Sequence, residues 1–195
     1  MRNRDPEKHS MKKEALLMVA MECFSARGFQ GTSISHICAR AKISPGHLYH
    51  YFASKEEILG DIINLVLEHA VATFTAALDT SDVISAIKAY TQAIFQRSLD
   101  GGYPLYFDLF AEASRNQQVA ALLDKQSKGM HDLLSAALEK GQQTGEINPA
   151  LNIPVAAAAM LSLIDASKMI HMRNHAQDGS AIVDALHQMV IGYLK

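Results

Sequence analysis

Apolar residues recur along most of this 195-residue chain three and four positions apart, the period of an amphipathic helix. The first such stretch opens at Asp5-Pro6-Glu7, turns Leu17, Ala20, Met21 and Phe24 to one side, and stops at Arg27-Gly28. Ile34, Ile37 and Cys38 form a second, short stripe behind the capping hydroxyls Thr32 and Ser33. A turn through Ala41-Lys42-Ile43 reaches Ser44-Pro45, a cap followed by a proline suited to the first helical position. Leu48 and Phe52, four apart, are the apolar back of this third element. A long fourth helix is expected from Ser54 to about Leu78, with Ile58, Ile62, Leu65, Val66, Val71 and Phe74 on its stripes. Asp79-Thr80-Ser81-Asp82 caps a fifth, ending near Leu99, and Asp100-Gly101-Gly102 turns the chain. Pro104 opens a sixth helix rich in aromatics. A seventh runs from Gln117 to Glu139 or Lys140 and gives way to a polar loop over Gly141 to Pro149. The eighth, from Pro149 or Pro154 to Asn174, is apolar nearly all round between Val155 and Ile164, which predicts burial on several sides. After Asp178-Gly179-Ser180, the ninth carries Ile182, Ala185, Leu186, Met189, Val190 and Tyr193. No run alternates with the period of a strand. The expected class is all-α, with about nine helices.

The second and third elements differ from the others in being short and two-sided. Ile43, Leu48 and Phe52 can pack back on the second helix, whereas Gly46, His47 and His50 fall where nothing apolar demands burial. A short helix with a dry back and a small polar front suits the DNA major groove, which admits one helix and is read by side-chain hydrogen bonds. Helix, tight turn and second helix make the helix-turn-helix arrangement, although any small helical bundle can contain such a pair.

The segment G-F-x-G-T-S-I-S-x-I-C-x-x-A-x-I-S-P-G-H-L-Y-H-Y-F-x-S-K-E-E-I-L resembles the DNA-binding domain of the TetR (tetracycline repressor) family of bacterial regulators. The matching positions are Gly28, Phe29, Thr32, Ile37, Ala41, Ile43, Ser44, Leu48, Tyr49, Phe52, Ser54, Lys55 and Leu59. Lys42 stands where the family usually has glycine, and Cys38 where it usually has alanine. The resemblance covers roughly the first third of the chain. It implies a three-helix DNA-binding domain over residues 1–53 and a helical ligand-binding and dimerisation domain over 54–195. It also implies a homodimer on a palindromic double-stranded operator, released by a small-molecule effector, with repression rather than activation as the mode of action. Residue roles then divide by chemistry. Thr32, Ser33, Ser44 and Pro45 sit at helix starts, where hydroxyls and backbone N–H groups meet phosphates. Gly46 permits close backbone approach, and His47 and His50 can reach base edges or phosphates. Tyr49 and Lys55 match a family tyrosine and lysine that contact the phosphate backbone. Tyr51 reads as packing, and Lys12 and Lys13 as solvated surface charges.

Composition sharpens this. The net charge of −2 conceals a split: Met1 to Lys55 has 9 basic and 4 acidic residues, a balance of +5, and the remainder has 9 against 16, a balance of −7. Positive charge accompanies the segment expected on phosphate. Arg2 and Arg4 lie in a polar start that is either an arm touching DNA or a loose terminus. Cys23 and Cys38 fit buried thiols in a reducing cytoplasm, with a redox role as the alternative. No apolar run is expected to span a membrane, and the run ALLMVAMECF reads as an amphipathic helix rather than a leader.

The aromatic cluster Tyr103, Tyr106, Phe107 and Phe110, with Phe74 and Asp165, is the candidate lining for an apolar or aromatic effector; plain core is the competing reading. His171 and His175, four apart, could reach one metal, but solvated or interface histidines explain them as well, and no metal or cofactor is expected. No phosphate loop, nucleophile elbow or paired acid and base is present, so no enzymatic activity is expected. A helical sensor or carrier that does not read DNA is the remaining alternative function.

Overall fold

The computed structural model describes residues 6–99, 103–169 and 179–195, and among these all regular structure is helical. The helices are α1 (Pro6–Gly31), α2 (Ile34–Ala41), α3 (Pro45–Leu48), α4 (Lys55–Thr80), α5 (Val83–Leu99), α6 (Pro104–Ala113), α7 (Gln117–Gln143), α8 (Ile153–Ser167) and α9 (Gly179–Leu194). The expected all-α class is met. Gly28 interrupts α1 with φ 71° and ψ 165°, so the ordinary helix ends where Arg27-Gly28 placed it. His171 and His175, and the turns at 100–102 and 178, lie outside the described residues.

The chain divides into two compact units: residues 1–66 with 104–126, and residues 67–103 with 127–195. The expected boundary after residue 53 does not coincide with this division, because α6 and the first part of α7 pack with the N-terminal helices. The first unit is built on Leu16, Leu17, Ala20, Phe24 and Phe29 of α1, Ile37 of α2, Leu48 and Phe52, Ile58, Leu59 and Ile62 of α4, Leu109 of α6 and Val119 of α7. The second is built on Phe74, the α5 residues Val83, Ile84 and Ile87, Leu134 and Leu138 of α7, Ala156, Ala157 and Met160 of α8, and Val190 and Leu194 of α9.

Three expectations need correction. An 18-residue window of α4 has a mean hydropathy of 1.3, long and apolar enough to cross a membrane by length and composition. Only part of this length is buried: Ile58, Leu59, Ile62 and Ile63 fill one core and Phe74 the other. Val66, expected on the inward stripe, is exposed. In α9 the buried stripe is Val183, His187, Val190 and Leu194. Of the residues expected there, Met189 and Tyr193 are 64% and 41% exposed. Val190 is buried as expected, and Ile182 and Leu186 pack partly buried against Phe95 and Val183, so the expected stripe overlaps the buried face and is shifted toward one edge of it.

Between α2 and α3, Lys42 is left-handed at φ 54°, and Ile43 N–H returns to the Cys38 carbonyl at 3.1 Å, the closing bond of a Schellman turn. A side chain at this φ costs on the order of 1 kcal/mol that glycine does not incur. Glycine also has more freedom to lose on folding, so the net gain is smaller. Lys42→Gly is expected to raise the urea midpoint modestly without changing the unfolding slope.

Candidate nucleic-acid interface

The head begins with two reciprocal caps. Ser33 Oγ accepts the His36 N–H at 3.2 Å, and the Ser33 N–H donates to His36 Nδ1 at 3.2 Å, a capping box with histidine in place of the usual glutamate. Ser44 Oγ accepts the His47 N–H at 3.2 Å, with Pro45 in the first turn, as the sequence predicts. The α-helical part of α3 has only four residues. Bonds from Tyr49, His50, Tyr51 and Phe52 back to Pro45, His47 and Leu48 carry it on as tightened turns. Leu48 and Phe52 are buried, and Ser44, Pro45, Gly46, His47, Tyr49 and His50 are exposed. One short element thus has a dry back and an open polar front. A Cβ added at Gly46 would meet no atom within 4 Å, so the fold itself does not require glycine there.

Two residues expected on phosphate are otherwise engaged. Thr32 is buried, and its hydroxyl lies 2.9 Å from the Gly28 carbonyl and 3.0 Å from that of Cys23, sharing its one proton between them. It fastens the break in α1. Lys55 Nζ donates to the carbonyls of Phe29 at 2.8 Å and Thr32 at 3.1 Å, and sits 4.3 Å from the centre of the Phe29 ring. A lysine read as a free cation at a helix start is in this structure a bolt from α4 into the α1–α2 junction.

The same junction is held from α6. Asp108 Oδ2 accepts the Phe29 N–H at 2.6 Å, and its other carboxylate oxygen would lie 3.0 Å from a Cβ at Gly28, so the approach needs glycine as well as the positive φ. Glu112 is buried with its charge. It accepts from Gln30 Nε2 at 2.5 Å, from Arg115 Nε at 2.7 Å and from Asn116. The Gln30 amide, with Arg115 and Asn116 behind it, holds the Glu112 carboxyl below its ordinary range against the opposing effect of burial. Sequence reasoning missed this role of Asp108 and Glu112. Their spacing of four places both carboxylates on one face of α6, and that was the available signal. Lys13, read as solvated, pairs with Asp61 at 2.7 Å and lies over the Phe52 ring.

The aromatic residues expected around an effector divide between the units. Phe74 is wholly buried, with its ring edge-on to Tyr90 at 5.5 Å. The Tyr103 hydroxyl donates to the Ile94 carbonyl at 3.2 Å, and the Arg97 and Lys168 cations lie 5.6 and 5.8 Å from its ring centre. Asp165 pairs with Lys168 at 2.8 Å, so the carboxylate finds its partner one turn on. Burial lowers the Lys168 ammonium, opposed by Asp165, and burial pushes the Tyr90 phenol up to about 12. In the other unit, Tyr106 packs against Phe107 and Phe110 at 5.5 and 4.7 Å, and Phe110 is half exposed. Two shallow depressions, one along Gly145 to Pro149 with Lys195 and one between Ser54 and Lys125, are lined by none of the six expected residues. Cys23 and Cys38 are buried, and burial pushes both thiols up, away from the reactive thiolate.

This fold and head fit a helix-turn-helix DNA-binding transcriptional regulator. Residues 16–62 match the family model described as bacterial regulatory proteins, tetR family. Over 152 residues, 76% of this chain and 75% of the relative, the sequence is 33% identical to the HTH-type transcriptional regulator UidR of Escherichia coli strain K12. The chain belongs to the tetR family. Among solved structures, Salmonella enterica GusR superposes with a TM-score of 0.78 at 27% identity, over 93% of this chain and 94% of that one. AibR, solved in complex with isovaleryl coenzyme A and operator DNA, gives 0.68 at 20% identity over 94% and 99%, a likeness of fold.

Removing the Lys55 ammonium leaves two junction carbonyls without their donor. Lys55→Ala is therefore expected to lose about 1–2 kcal/mol of stability in the absence of DNA, read as a lower urea midpoint. Glu112 supplies stability that is fully present above the ordinary carboxylate value of about 4.3 and is lost as pH falls through its lowered folded value. Glu112→Gln is expected to unfold at lower urea than the parent at pH 7, with the gap narrowing as the pH drops below about 4.

Proposed function

We propose that this regulator is a repressor that acts in the cytoplasm as a homodimer on a palindromic operator. A small apolar or aromatic effector bound by the helical domain releases it. The observation that carries the DNA-reading part is the open front of α3: Gly46, His47 and His50 face solvent beside the exposed Tyr49, while Leu48 and Phe52 bury the back. Ser33, Ser44 and Pro45 present the two short helix starts to the phosphates on either side. Thr32 and Lys55 act one step removed, by fixing the junction from which those starts project.

Dimerisation is supported by apolar surface on the last two helices. Val155 of α8 is 58% exposed, and Met189 and Tyr193 of α9 are exposed as well, apolar side chains that a second copy would cover. A twofold copy packed there would cover these residues and set two reading heads one helical turn of DNA apart.

Release by an effector requires a link between ligand domain and head. Two helices supply it by chain continuity. α4 carries Lys55 at its first residue and Phe74 in the core of the second unit. α6 follows Tyr103 and carries Asp108 and Glu112, which grip Phe29 and Gln30. A displacement of either would pull directly on the α1–α2 junction. Phe74, Tyr103 and Asp165 on one side, and Tyr106, Phe107 and Phe110 on the other, are the residues we assign to effector sensing.

A gel shift with the DNA flanking the protein's own gene, at low and raised ionic strength, tests the reading. Specific retardation that weakens steeply with salt is expected; no retardation of any duplex at low salt would sink it. Gly46→Ala separates fold from reading. Alanine is the better helix former by about 1 kcal/mol, and there is room for its methyl group, so stability should hold or rise. Operator affinity should nevertheless fall about tenfold, on the order of 1.4 kcal/mol, because the added methyl occupies the space where DNA backbone approaches.

A further inference from the structure

The front of α3 is held by a feature that the sequence reading passed over. The Tyr51 ring stacks with two histidines. One is His9 of α1, with centroids 4.7 Å apart and planes 25° apart. The other is His47 of α3, at 5.8 Å and 11°. Tyr51 also leans on the buried Phe52 at 6.3 Å, which ties the stack to the core of the head. His47 itself is exposed, and Tyr51 and His9 are half-buried.

We infer that Tyr51 is a positioning residue for sequence reading, which sets the ring plane of His47 while His9, stacked on the same tyrosine ring, steadies it. This rests on the reading of α3 as the element that enters the groove. An imidazole offers its hydrogen-bonding atoms only in the ring plane, so which base edge it meets depends on the rotation of that plane. The last torsion of a histidine is intrinsically broad. An exposed histidine on a four-residue helix would therefore sample many planes and discriminate poorly between bases. Stacking on Tyr51 restricts His47 to orientations near one plane before DNA arrives, as a precise recognition contact requires. Tyr51 can serve as that reference only if it does not rotate, and a ring held by His9 and by the buried Phe52 is hindered from doing so. His9 thus bears on base choice without needing to touch a base. The aromatic faces, rather than the phenol oxygen, carry the role.

The test begins with duplexes of about 20 base pairs, long enough for two half-sites, selected from a random library on the unaltered protein. A panel of single base-pair substitutions of the selected site is then bound to His47→Ala, Tyr51→Leu, Tyr51→Phe, His9→Ala and His9→Phe. The unaltered protein should discriminate about tenfold at the positions read by His47. His47→Ala, Tyr51→Leu and His9→Ala should flatten discrimination at those same positions, to within about twofold, and leave the other positions unchanged. Tyr51→Phe and His9→Phe, which keep the stack, should preserve the original preference. Adding Tyr51→Leu to His47→Ala should cause no further flattening. A loss of affinity shared equally by every duplex, or flattening by Tyr51→Leu at positions His47→Ala does not affect, would overturn the inference. Full discrimination retained by His9→Ala would also overturn it, and that exposed-side variant remains informative if Tyr51→Leu folds poorly. Failure of the unaltered protein to select any duplex would instead count against the DNA reading of α3 itself.

Discussion

The head depends on one constraint: the backbone where α1 breaks must have its polar groups satisfied without water. Gly28 leaves the helical region, and the carbonyls and N–H groups around it lose their partners within the helix. Side chains from three elements supply the replacements. Thr32 returns from the start of the α2 segment, Lys55 comes from α4 and Asp108 from α6. Buried peptide groups left unpaired cost more than most surface contacts gain, so this junction fixes where α2 and α3 stand. The open front of α3 is useful only because its base is held from several sides.

That arrangement also changes how the motif residues should be understood. Thr32 and Lys55 are part of the pattern that marks the family, and a threonine and a lysine at helix starts invite a reading as phosphate ligands. Here both donate inward to backbone carbonyls. Their inward bonds fix the junction from which the two short helices project. The charge asymmetry between the first 55 residues and the remainder is real, but it is not a list of phosphate contacts, because Lys13, Arg40 and Lys55 are each committed within the head.

What the sequence made legible was local. Capping hydroxyls, Ser44-Pro45, Arg27-Gly28 and the period of the apolar residues place the helix ends within a few positions, because each depends on neighbours in the chain. The dry back of α3 was legible for the same reason. Pairings between distant residues were not. Asp108 meets Phe29 across 79 positions and Glu112 meets Gln30 across 82, and nothing in either stretch names the other. The inward side of α9 was placed only in part, because its apolar residues spread past the buried face: Val190 is buried, whereas Met189 and Tyr193 are exposed. His187, a polar residue, lies on the buried stripe, and its presence there hid that stripe from a search for apolar positions.

The aromatic residues show the same limit with a different consequence. Tyr103 and Tyr106 are three apart in sequence, yet one belongs to the unit built around Phe74 and the other to the unit that holds the head. Adjacent in the chain, they answer to different cores. A regulator needs such a seam, because a signal can pass only where one continuous segment is gripped at both ends by separate packing. The segment from Tyr103 to Glu112 meets that condition. At its start a tyrosine is anchored to the Ile94 carbonyl and lies near two cations, and ten residues or fewer further on two carboxylates grip Phe29 and Gln30. Strain applied at the first anchor has few residues in which to dissipate before it reaches the second. On the release by an effector proposed above, the short length of α6, and not any single side chain, would carry such strain to Phe29 and Gln30.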